Sequence, residues 1–84
     1  MNFNSDKILK LHNKLAAALT KIGFRVSDVK SKFEPDTQTL RLTVYGKSDS
    51  LIPNNTILHC VEKLFGCQSL EIAATKESIT IDAN

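Results

Sequence analysis

The stretch Thr39-Leu40-Arg41-Leu42-Thr43-Val44-Tyr45 alternates polar and apolar side chains without a break. In an extended chain successive side chains point to opposite faces. Leu40, Leu42 and Val44 therefore share one face, and Thr39, Arg41, Thr43 and Tyr45 share the other. A strand with one apolar face needs an apolar cover, which the rest of the chain must supply.

Immediately upstream, Glu34-Pro35-Asp36-Thr37 reads as a turn, with Pro35 setting φ at the corner. A second strand precedes it, beginning at Phe24. Phe24 and Val26 alternate, then the phase slips near Ser27-Asp28, and Val29, Ser31 and Phe33 continue on the new parity. One residue inserted into a strand has this effect, so a β-bulge is expected there. Further upstream, Ile8, Leu11, Leu15, Ala18, Leu19 and Ile22 recur at helical spacing and predict a helix from Ser5 to Ile22. Asn4 or Ser5 suits its cap, Asp6 favours its positive end, and Gly23 is placed to stop it.

Downstream, Gly46 to Leu51 reads as a loop and Pro53 opens a second helix. Ile57, Leu58, Val61, Leu64 and Phe65 form its apolar face, and Gly66 ends it. A strand from Gln68 to Ala74 points Leu70 and Ile72 inward. After a turn at Thr75-Lys76-Glu77, a last strand turns Ile79 and Ile81 inward and Ser78, Thr80 and Asp82 outward.

The order αββαββ repeats one α-β-β unit. A shift of 43 residues lays Leu15 on Leu58 and Gly23 on Gly66; beyond the shorter second hairpin loop, a shift of 39 lays Leu42 on Ile81. The chain reads as one domain, residues 1–84, with half-units 1–46 and 47–84. The fold class is α+β, a two-layer sandwich whose four-stranded, mostly antiparallel sheet carries both helices on one face. That element order is the one of a circularly permuted ferredoxin-like sandwich. The alternative sets the two hairpins side by side, within one chain or between two.

Composition bounds the function. Apolar residues make up 42% and charged residues 24% of 84 residues, ordinary for a globular chain. A domain of this size buries only about 60% of its unfolded surface, which leaves little room for an interior active site. No G-x-S-x-G, H-E-x-x-H or glycine-rich phosphate loop occurs, so neither a catalytic site nor a cofactor is expected. His12, His59, Cys60 and Cys67 lack metal-ligand spacing, so no metal is expected either, and both cysteines read as reduced thiols. The longest apolar run is residues 15–19 and the first residues carry Asp6. A span needs about 20 apolar residues and a secretory leader needs an apolar core, so the chain reads as cytoplasmic and away from membranes.

The charge is unevenly placed. Residues 1–47 hold nine Lys or Arg against four acids, whereas residues 48–84 hold two against five. Strand parity gathers Arg25, Lys30, Lys32, Arg41 and Tyr45 on the outer sheet face, while Lys7 and Lys14 join Lys10 and Lys21 along one flank of the first helix. These cations support two function classes. The first is a small non-enzymatic binding or adaptor protein, acting through protein–protein contacts and able to form a homodimer if Arg25 and Arg41 meet Glu71 and Asp82 of a second copy. The second is a nucleic-acid-binding module, with the cations on phosphate and Tyr45 stacking on a base. A single aromatic and the opposing acids favour the first reading.

Overall fold

The computed structural model describes residues 5–66 and 69–84. Its elements follow the expected order: α1 (Ser5–Lys21), β1 (Arg25–Glu34), β2 (Thr39–Lys47), α2 (Asn54–Phe65), β3 (Leu70–Ala74) and β4 (Ser78–Ala83). The expected cap at Asn4 or Ser5, the start of β3 at Gln68 and the state of Cys67 concern groups outside the described set.

All neighbouring strands are antiparallel, in the order β1-β2-β4-β3. The two hairpins thus join through their second strands, as a circularly permuted ferredoxin-like sheet requires. In register, Leu40, Leu42 and Val44 stand opposite Ala83, Ile81 and Ile79, so two alternating strands align their apolar faces. α1 packs on β1, α2 packs on β3, and the helices pack on each other. Each helix runs back over the strand that follows it, so the two helices are antiparallel.

The core lies between the layers. Leu11, Leu15 and Leu19 of α1 and Ile57, Val61 and Phe65 of α2 are buried against Leu40, Leu42, Val44, Ile79, Ile81 and Ala83 of the sheet. Both helical rows have four-residue spacing, the natural apolar stripe of a helix on a sheet. Ile22, Leu58 and Leu64 are half-buried at its margin.

The joint between α1 and β1 explains why the sequence turns where it does. Phe24 N–H donates to the Leu19 carbonyl at 3.1 Å and Gly23 N–H to the Thr20 carbonyl at 3.2 Å. This is the Schellman pattern, with Gly23 at φ +97° where a side chain would be strained. Its usual apolar clasp is present, since Leu19 and Phe24 are both fully buried. Helix α2 ends likewise at Gly66, φ +58°. Pro53 stands one residue before α2, as its N-cap without a side-chain bond, rather than inside the first turn.

The expected bulge falls between Val26 and Asp28, where both pair across to consecutive residues Gly46 and Tyr45. Ser27 is the extra residue, and its hydroxyl donates to the Tyr45 carbonyl at 3.0 Å. The bulge brings the β1 backbone close over Gly46. A methyl group at that position would overlap the Arg25 carbonyl oxygen and lie 2.8 Å from the Phe24 ring.

Candidate functional site

Strand register places Arg25, Lys30, Lys32, Arg41 and Tyr45 together on the open face of the sheet. That face is close to electrically balanced. Its register positions carry the cations Arg25, Lys30, Lys32, Arg41 and Lys47 and the acids Asp28, Glu34, Glu71 and Asp82.

The pairing goes further than balance. Arg41 donates from Nε to Asp82 Oδ1 at 2.7 Å and from Nη2 to Oδ2 at 3.0 Å, a two-point fork across neighbouring strands. These bonds hold the Asp82 carboxyl below its ordinary range and raise the Arg41 guanidinium further. Arg25 Nη2 meets Asp49 Oδ1 at 3.2 Å, and Lys32 Nζ meets Glu34 Oε1 at 3.1 Å. Lys30 Nζ stands 5.8 Å from the centre of the Tyr45 ring, within cation–π range.

Four of the expected binding cations therefore have internal partners, and Tyr45 has a lysine over its ring. In a two-fold dimer built on Arg41 against Asp82, each pair would first have to be broken within the chain. A polar depression of about 490 Å³ lies at one end of this face, lined by Lys32, Glu34, Thr39, Arg41, Glu71 and Asp82 among others. Its lining carries both signs of charge and, among the described residues, no hydrophobic side chain.

A different arrangement occupies the other side of the molecule. Between the helices runs an open groove of about 660 Å³. Ala17, Ala18, Ile22, Cys60 and Leu64 give it an apolar floor; Lys14, Lys21, Lys63, Thr56 and His59 form its walls. Ala18 is small enough for α2 to approach closely, and Cys60 Sγ donates to the Ala18 carbonyl at 3.1 Å. Burial pushes the Cys60 thiol above its ordinary pKa, with Lys21 acting in the opposite sense.

Among the described residues no acid lines the groove and no ion pair engages Lys14, Lys21 or Lys63. His59 faces Glu62 at 3.7 Å along its own helix. Of the four helix lysines gathered on one flank in the sequence, Lys14 and Lys21 line this groove, and Lys7 and Lys10 are not among its lining residues. Lys63, Thr56 and Leu64 were missed as site residues. The seven-residue spacing of Lys14 and Lys21 beside the run Ala16-Ala17-Ala18 was the available signal, since it puts cations and small residues on one flank of a helix.

His12 lies away from this groove, and among the described residues its buried Nε2 finds no hydrogen-bond partner. Among the described residues no three of His, Cys, Asp and Glu come together as metal ligands, and no helix is long and apolar enough to cross a membrane. Set against known protein families, curated proteins and solved structures, the chain finds no match.

Proposed function

We propose that this chain is a small, non-enzymatic, cytoplasmic binding module that acts through protein–protein contact, and that the contact is made by the helical layer. The groove carries this reading. It joins an apolar floor to cations that no ion pair engages among the described residues, whereas four cations of the open sheet face meet acids of the same chain or the Tyr45 ring. Interfaces take their energy from a desolvated apolar centre and their steering from charges at the rim. Cys60, free and half-buried, fits a reducing compartment.

A groove walled by lysines on both sides is not complementary to itself, so the reading predicts a monomer that binds a different protein. The test is a photo-crosslinking side chain placed at Thr56 in the groove wall or at Thr43 on the sheet, in living cells. Protease-sensitive adducts of defined mass at position 56, absent at 43, are the expected result. Nuclease-sensitive adducts, with oligonucleotide binding that falls steeply with salt, would replace the reading by the nucleic-acid one. Adducts at position 43 alone would return the contact to the sheet face.

A further inference from the structure

The partner's chemistry can be read from the groove itself, given the protein-binding reading above. We infer that it receives an acidic amphipathic α-helix, laid between α1 and α2 as a third helix of the outer layer.

Three features select this occupant. The first is length. The lining stretch of each helix, from Lys14 to Ile22 and from Thr56 to Leu64, runs about 12 Å, which is about two helical turns. Two turns suffice for apolar anchors at i, i+3, i+4 and i+7, the spacing by which a helix seats in a groove.

The second is shape. Small residues let helix axes come close, and Ala17 and Ala18 sit where the incoming helix would cross α1. Ala17 is exposed and Ala18 half-buried, so a partner side chain can reach past the first onto the second. Ile22 and Leu64, both half-buried, offer apolar surface at the two ends of the trough.

The third is charge. Lys14 and Lys21 project from one wall and Lys63 from the other, and among the described residues no carboxylate lines the space between them. An incoming helix with apolar residues toward the floor and glutamates on both flanks would meet a lysine on each side. The apolar floor argues against a nucleic-acid backbone, which would gain nothing from Ala, Ile and Leu. It also argues against a free small anion, which would leave the floor wet.

The probe is a capped 18-residue helical peptide with leucines at the anchor positions and glutamates on both flanks. Its control carries the same leucines with lysines in place of the glutamates. Amide shifts on titration should move at Ala17, Ala18, Lys21, Thr56, Cys60 and Lys63, with the sheet unmoved. Affinity should fall with salt and exceed that for the basic control by about tenfold or more. The variant Lys14→Glu with Lys21→Glu and Lys63→Glu should reverse the preference and bind the basic control instead. A misfolded protein could not show that gain.

Equal binding of both peptides, no binding of the acidic one, or shifts confined to the sheet would each overturn the inference. Oligonucleotide displacing the acidic peptide from the same residues would do so too. If position 56 still captures proteins in cells while the peptides fail, the protein-binding reading stands and only the partner's chemistry falls. If the peptide binds but no adduct forms, the groove chemistry holds and the cellular reading falls.

Discussion

In the first half of the chain, β1 extends over ten residues and none of them is fully buried; Val26 and Val29 are half-buried. In the second half, β3 is only five residues long and also buries none fully. The strands that follow them behave alike in the opposite way. β2 buries Leu40, Leu42 and Val44, and β4 buries Ile79, Ile81 and Ala83. The halves differ in strand length by a factor of about two at the edge, yet their central strands supply the sheet's fully buried residues. Burial follows position in the sheet, because a central strand is flanked by a strand on each side and its apolar residues share one buried cluster with the rows of both helices.

The largest test of that comparison is truncation at the centre and at the edge. Leu42→Ala should cost about 2–5 kcal/mol, since a fully buried leucine loses contacts on every side. Ile72→Ala, on half-buried β3, should cost about half as much. Urea unfolding of the two variants measures both; equal losses would mean that position in the sheet does not govern burial.

A smaller effect, confined to the first half, comes from Gly46→Ala. The added methyl must displace the Arg25 backbone or the Phe24 ring, at a cost of roughly 1–3 kcal/mol. Deleting Ser27 in the same variant removes the bulge that presses the strands together. Recovery of thermal stability in the double variant would assign the strain to the bulge, and a further loss would assign it elsewhere.

The smallest effect lies on the seam between the halves. The Asp82 carboxyl has a depressed pKa in the folded chain, so its contribution is present above its unfolded pKa of about 3.9 and is lost as pH falls through the lower folded value. Asp82→Asn should leave a slightly less stable protein at neutral pH whose stability falls less steeply below about pH 4. Thermal unfolding from pH 2 to 7 checks the slope; unchanged acid dependence would mean that the Arg41 fork contributes nothing to stability.

Much of this was legible from the residues. The alternation at 39–45, the slipped phase at Ser27-Asp28 and the helix-ending glycines each carry a local physical cause, and each appears where expected. The repeat was less legible. A shift of 43 anchors the glycines, but the buried rows Leu11-Leu15-Leu19 and Ile57-Val61-Phe65 align at 46. Three residues separate Leu19, the last buried leucine of α1, from Gly23, while Phe65 directly precedes Gly66, a difference no local pattern encodes. The binding surface was legible only in part. Parity placed the cations of the open face but could not say that Asp49, Asp82, Glu34 and Tyr45 would engage them. The groove depends on how two helices lie against each other, and their contact at Ala18 and Cys60 joins residues 42 apart in sequence.

The seam between β2 and β4 also orders events in time. Each hairpin joins strands that are neighbours in sequence, and such hairpins form in about 1–10 μs. Leu42 and Ile81 meet across 39 residues, and their contact closes a loop that contains a whole helix and a strand. The entropy of that closure is spent before the seam gains any burial. The most protected part of the sheet is therefore the part whose assembly waits longest, and until it closes each half presents an apolar strand face with half its cover missing.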